Sequence, residues 1–329
     1  MKPALVPLLR CPRSRDPLHV GTNANADPDA DVATGTLETD RGVRWPIVRG
    51  VPRFVPSDEY AGSFGFQWNR FPATQLDSRS GLTISRDRFL AQWALPPEWF
   101  AGRRILDVGC GSGRFAEIAV SLGAEVVAVD LSSAVDACWS NLGHLPSLHV
   151  VQASVYDLPF APASFDAVYC FGVIQHTPDV KRSFMSLARM VRPGGELAVD
   201  VYQHDWKSLL HPKPWLRPVT SRLPQDTLFG AIERAAPFLL KLSHAAGGVP
   251  VVGRALRRAV PVADYEGTFP LDEQQRLEWA VLDTFDWLSP RYDQPQSGDT
   301  LRDWAREAGL HDVVIHKPAH LTLRARAAD

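Results

Sequence analysis

Four groups of residues in this 329-residue chain have the types and spacing to do chemistry. The first is Asp107-Val108-Gly109-Cys110-Gly111-Ser112-Gly113, followed after sixteen further residues by Asp130. Glycines let backbone N–H groups approach a ligand where a Cβ would collide. An acid about twenty residues past such a turn, at the tip of the next strand, suits two ribose hydroxyls. Asp107, just before the turn, would repel a pyrophosphate and attract an ammonium group. The spacing is G-x-G-x-G, with Arg114 where a dinucleotide fingerprint would be completed by glycine. The second is His176, a side chain able to take a hydroxyl proton near neutral pH. The third is Asp200, Tyr202 and His204, which strand alternation places on one face. The fourth is Asp283, Asp286, Tyr292, Asp293 and Gln294, whose acids, aromatics and amides in a proline-broken stretch suit a binding wall.

The elements that must position these groups are legible in the apolar pattern. Ile105, Leu106 and Val108 form a short buried strand ending in the glycine turn. Phe115, Ile118, Ala119 and Leu122, at i, i+3, i+4 and i+7, predict a helix closed by Gly123. Residues 126–129 predict a second strand that delivers Asp130, and Leu131-Ser132-Ser133 opens the next helix with a hydroxyl cap. Strands follow at 148–153, 165–171 and 196–202. Val180, Phe184, Leu187, Ala188 and Val191 line one face of a helix that stops at Arg192-Pro193-Gly194-Gly195. A last helix is expected over 300–308 and a closing strand pair over 313–316 and 321–324. Ligands bind such open sheets at the carboxyl ends of the strands, where groups one to three would lie.

The stretch RILDVGCGSGRF…VVAVD resembles the first motif of class I S-adenosylmethionine-dependent methyltransferases. S-adenosylmethionine has a ribose, a cationic amino group and no phosphate, which is what this turn and its two acids would hold. The resemblance implies an α/β, Rossmann-like seven-stranded sheet flanked by helices, with the last strand antiparallel. It assigns cofactor contacts to Asp107, Gly109, Cys110, Gly111, Gly113, Asp130, Leu131 and Phe171. Relatives carry an acid at the position of Ser154 that bonds the adenine; here Ser154 and the backbone around Val155 are left to serve.

SFGFQWNRF resembles a segment that folds over the cofactor cleft in a group of bacterial relatives. That implies that Phe66, Gln67 and Trp68 cover the sulfonium, a cation attracted to aromatic faces. GVIQHTPD is a pattern of the loop that borders the transferable methyl, which places Gln175 and His176 beside the acceptor. DTFDWLSPRYDQP resembles a segment of sugar- and natural-product-modifying relatives, implying that Asp283, Asp286 and Tyr292 bind substrate. LLRCPRSRDPL with RWPIVRGVPRFVP resembles a small zinc-ribbon-like module, but Ser14 stands where a second cysteine is needed and only Cys11 survives. A tetrahedral site needs about four N/S ligands. No metal is expected, and the module is read as serving packing or contact with a protein partner.

The domain plan is therefore a degenerate module at 1–56, an aromatic-rich linker over the cleft at 57–100, and a cofactor-binding core at 101–202. A helical cap inserted after strand five follows at 203–298, and residues 299–329 complete the core. Composition is that of an ordinary globular protein, 45% hydrophobic and 22% charged. A net charge of −2 provides no long-range field for nucleic acid or anionic membrane, and neither partner is expected. Arg254, Arg257 and Arg258 read as a solvated helix face. No apolar run approaches the roughly twenty residues needed to span a bilayer. The four cysteines form no CxxC pair and read as reduced, which suggests a cytoplasmic protein.

The expected function is methyl transfer from S-adenosylmethionine to an O or N atom of a small natural-product or sugar-bearing acceptor. His176, Tyr202 and His204 are the candidates for catalysis. The alternatives are a non-methylating reaction on the same fold, such as cyclisation or decarboxylation, and a non-catalytic cofactor-binding partner protein.

Overall fold

A computed structural model of the chain describes residues 1–21, 31–203 and 211–329. Short strands come first: β1 (His19–Val20), β2 (Gly35–Glu38), β3 (Arg44–Val48) and β4 (Val51–Pro52). They form an antiparallel four-stranded sheet in sequence order, with Arg49-Gly50 as the tight β3–β4 turn at positive φ. Helices α1 (Gly62–Arg70), α2 (Asp77–Ser80) and α3 (Ile84–Trp93) then lead into the main sheet.

That sheet alternates β5 (Arg104–Val108), α4 (Arg114–Ser121), β6 (Glu125–Asp130), α5 (Ala134–Leu142), β7 (Leu148–Gln152), β8 (Phe165–Cys170), α6 (Val180–Ala188) and β9 (Val191–Val201). The cap follows as α7 (Lys213–Thr220), α8 (Gln225–Gly247), α9 (Gly253–Ala259) and α10 (Glu273–Leu288). The chain closes with α11 (Gly298–Glu307), β10 (Leu310–His316) and β11 (Leu321–Ala327). The seven strands lie in the order β10-β11-β9-β8-β5-β6-β7, parallel except where β11 runs antiparallel to both neighbours. The expected fold class is the observed one.

Strands β5 to β8 are almost wholly buried, as parallel strands covered on both faces must be. One expectation needs correcting. Arg192-Pro193-Gly194-Gly195 lies inside the long strand β9, which begins at Val191. Val191 pairs with Phe165 and Glu196 with Ala167, so residues 192–195 bulge opposite the single residue Asp166, with Gly194 at φ +68°.

The N-terminal sheet shares one hydrophobic cluster with the main sheet: Leu5, Leu9, Leu37 and Phe54 pack with Val151, Phe160 and Val168. Lys2 donates from Nζ to the carbonyls of Gly143, Leu145 and Leu148, at 2.9, 2.7 and 2.6 Å. The cap has its own smaller core, Leu228, Phe229 and Ile232 of α8 against Val281, Phe285 and Leu288 of α10.

Candidate active site

The carboxyl ends of β5, β6, β8 and β9 open into a cavity of about 1730 Å³, roofed by α1 and the cap. That exceeds the roughly 300–1,000 Å³ of a single small-ligand site, so two ligands can lie side by side.

One lobe is built on the glycine turn. Gly111 N–H donates to Asp130 Oδ2 at 3.0 Å, while Ser132 donates its N–H (2.8 Å) and hydroxyl (2.7 Å) to Oδ1. Three of about four acceptor positions on the carboxylate are thus occupied. Asp130 still borders the cavity and keeps room for one further hydroxyl. Its carboxyl is pushed above the usual range by burial, opposed by these three donors. Gly109, Cys110, Leu131, Ala153, Val155 and Phe171 complete the wall. Trp68 lies over the turn: a Cβ on Gly111 would come within 3.0 Å of its indole nitrogen. An apolar slot, one carboxylate and an aromatic face suit a nucleoside bearing a cationic sulfur, so the residues present fit the expected cofactor.

Three of the residues expected here are used differently. Gly113 faces away from the cavity; at φ +99°, a Cβ would meet Leu142 Cδ1 at 2.5 Å, so this glycine lets α4 and α5 close together. The Ser154 hydroxyl accepts from Tyr156 N–H at 3.2 Å and does not line the cavity, because a short polar side chain satisfies the turn that follows it. Asp107 is only 2% exposed, does not reach the cavity wall, and has an unpartnered Oδ2. Burial pushes its carboxyl up to about 8, with the Tyr169 hydroxyl on the neighbouring strand opposing and Asp130 adding to the shift.

The second lobe is centred on His176. Its Nδ1 lies 2.8 Å from the Tyr292 carbonyl, which can only accept, so Nδ1 carries the proton. That leaves Nε2 as a lone pair, and Nε2 has no partner among the described residues. Burial lowers the imidazole to about 4, against the raising effect of the Tyr292 carbonyl and Asp293. Phe64 and Tyr202 pack on the ring at 5.3 and 5.4 Å between centroids. Tyr202 in turn carries His320 at 5.2 Å and Lys213 Nζ at 4.5 Å from its ring. His204, expected beside Tyr202, lies outside the described residues.

Asp200 does not join this lobe. It is fully buried, accepts from Gly172 N–H and Gln92, and pairs with Arg88 at 3.2 Å, so it ties the end of β9 to α3 and to the loop after β8.

Asp283, Asp286 and Tyr292 all line the cavity, as expected. Asp283 accepts from the Tyr265 hydroxyl. Asp286 has no hydrogen bond or ion pair among the described residues; burial, helped by Asp283, pushes its carboxyl up to about 7. Gln67 lines the cavity and leaves its Oε1 unpartnered, whereas Gln175 lies outside the lining with both amide atoms unpartnered. Phe66 turns the other way and anchors α1 to the cap, 5.6 Å from both Phe229 and Phe285.

The sequence reading missed Arg88, Lys213, Arg217, Tyr265 and His320, all cavity-lining. Lys213 pairs with Asp293 at 2.8 Å and Arg217 lies 3.8 Å from it. A basic pair at i, i+4 on α7 was the available signal; the hairpin position of His320 carried none.

The chain was compared with known proteins. A family profile described as a methyltransferase domain matches residues 106–199. A ubiquinone biosynthesis O-methyltransferase of Paracidovorax citrulli is 31% identical over 38% of this chain and 55% of its own length. An O-methyltransferase of Aspergillus sclerotiorum, resE, is 35% identical over 37% of this chain and 48% of its own. The chain thus spans about half the length of these relatives. Among solved structures, an O-methyltransferase family protein from Burkholderia thailandensis aligns at TM-score 0.42 and 14% identity, over 75% of this chain and 56% of that one. The glycine turn and the Asp130 that answers it, on a seven-stranded sheet of this topology, lie within the segment that matches the methyltransferase-domain profile.

Proposed function

We propose that this protein binds S-adenosylmethionine in the Asp130 lobe and methylates an oxygen or nitrogen of a small acceptor held under the cap. The observation that carries the reading is His176 in the wall of the cavity that the glycine turn also lines, its buried Nε2 without a partner among the described residues. The cofactor supplies an electrophilic methyl whose sulfur keeps the bonding electron pair on departure. The protein's share is alignment and proton removal. Trp68 and Phe171 present aromatic surface to the cationic centre. His176 Nε2 takes the proton that the acceptor O–H or N–H must lose as the new bond to carbon forms. Asp286, half-buried and without a hydrogen bond or ion pair among the described residues, would hold a second hydroxyl or an amine of the acceptor. The O-methyltransferase names of the two relatives support an oxygen acceptor.

Calorimetric titration with S-adenosylmethionine and S-adenosylhomocysteine tests the site. Micromolar binding of both, weakened at least tenfold in Asp130→Ala, is expected, because a buried ligand hydroxyl would lose its acceptor. No binding of either overturns the reading. Acceptor-dependent release of S-adenosylhomocysteine separates methyl transfer from the other chemistries this fold could host.

A further inference from the structure

The cap does more than roof the cavity. Among the described residues, ten of the twelve large apolar side chains left exposed fall within residues 215–256. Val251 is fully exposed, Phe238 68% exposed and Val219 65% exposed. The same part of the chain, 211–260, holds eight Lys and Arg against two acids, a net +6 in a protein whose total is −2. Arg222, Arg234, Lys241, Arg254 and Arg258 are exposed and make no ion pair or side-chain hydrogen bond among the described residues.

The two properties are interleaved. Arg234, Phe238 and Lys241, at i, i+4 and i+7, share the outer face of α8, whose inner face packs on α10 through Leu228, Phe229 and Ile232. On α9, Leu256 stands between Arg254 and Arg258, just after Val251 and Val252. An ordinary solvated helix face has no need of these aliphatics, and a surface built only for polyanions has no use for Phe238 or Val251. Apolar side chains rimmed by unpaired cations suit the boundary of a bilayer, where apolar burial and attraction to anionic headgroups act together.

We propose that the outer surface of α7–α9 docks on an anionic lipid bilayer. Phe238, Leu242, Val251 and Leu256 enter the headgroup region, and the unpaired arginines and Lys241 meet lipid phosphates. The expectation of no membrane partner rested on the whole-chain charge, which averages the cap against the acidic remainder. The other side of α7 lines the cavity through Lys213 and Arg217, so the docked surface adjoins the acceptor lobe.

The test is co-sedimentation of the 329-residue protein with phosphatidylcholine vesicles, with and without phosphatidylglycerol. Expected is binding to the phosphatidylglycerol vesicles, at least tenfold tighter than to phosphatidylcholine alone and weakened by salt. Arg254→Glu with Arg258→Glu should cost about fivefold per basic residue removed, or more since the charge is reversed. Phe238→Ser with Leu242→Ser should weaken binding at least tenfold, with an unchanged melting curve showing that both variants are folded. No binding to phosphatidylglycerol vesicles overturns the proposal. So does binding indifferent to Phe238→Ser/Leu242→Ser and matched by single-stranded DNA, which would mark a polyanion surface. A dimer that forms through Phe238 in light scattering, without vesicle binding, would assign the surface to a second copy instead. None of these readouts uses methyl transfer, so the result stands however the cofactor titration turns out.

Discussion

His176 is a neutral imidazole held in one tautomer by one hydrogen bond, and that single contact decides what it can do. With Nδ1–H committed to the Tyr292 carbonyl, only Nε2 can accept a proton. His176→Gln should lower turnover roughly a hundredfold or more while leaving cofactor affinity unchanged. An equal fall in affinity would mean the ring only braces its loop. Because burial lowers the imidazole to about 4, the base is already unprotonated at neutral pH. The rate should therefore be flat from pH 8 to about 5 and fall only as pH approaches 4, rather than near 6.5; a pH–rate profile reads this directly. Asp286 has the opposite linkage. Its carboxyl is raised to about 7, so between about pH 4 and 7 the folded state holds a proton that the unfolded state has lost. Stability from that proton is present at low pH and lost as pH rises through 7. Asp286→Asn stays neutral throughout, so it should gain on the wild type from about pH 4 to 7 and keep a constant lead of about 4 kcal/mol above. Denaturant titrations across that range check it.

At the scale of elements, the glycine turn divides its labour. Gly113→Ala puts a methyl into Leu142 at a backbone angle that L residues avoid. The expected cost is about 1–3 kcal/mol of stability, seen in chemical denaturation. Gly111→Ala, also at a positive φ of +53°, meets the Trp68 indole, so it should weaken cofactor affinity in calorimetry as well as cost about 1 kcal/mol of stability. The strand–turn–helix pattern was legible because periodic apolar residues and glycines encode burial and backbone shape locally. It could not say which glycine faces the ligand and which the neighbouring helix, since that depends on where α5 packs. Strand β9 shows the same limit from the other side: a Pro-Gly-Gly run reads as a stop, and the fold carries it as a bulge within the strand, with Gly194 at positive φ.

For the whole molecule, the N-terminal sheet and the main sheet share one hydrophobic cluster. Lys2 reaches three carbonyls of the α5–β7 connection, and Leu5, Leu9 and Phe54 share the main core. Lys2→Met should destabilise the chain by about 1–3 kcal/mol in a single unfolding transition, because three part-buried carbonyls lose a donor. Two separate transitions would show the module to be autonomous. Metal analysis of the purified protein should find no stoichiometric zinc, since Cys11 is buried and no group of three or more candidate ligands exists among the described residues. A full equivalent would overturn that account.

By itself the sequence determined the α/β sheet, the turn from Gly109 to Gly111 with Asp130 opposite, and the acidic and aromatic wall from Asp283 to Tyr292. These depend on local periodicity and on short spacings that survive any arrangement of the rest. Only the tertiary structure decided that His176 meets Tyr292 across 116 residues, that His320 lies on Tyr202, and that Asp200 serves α3 rather than the cavity. It alone left Asp286 without a hydrogen bond or ion pair among the described residues and exposed the apolar and basic residues of the cap on its outside. A side chain's chemistry depends on which donors, acceptors and solvent it meets. Those neighbours come from distant parts of the chain and are assigned only when the elements pack.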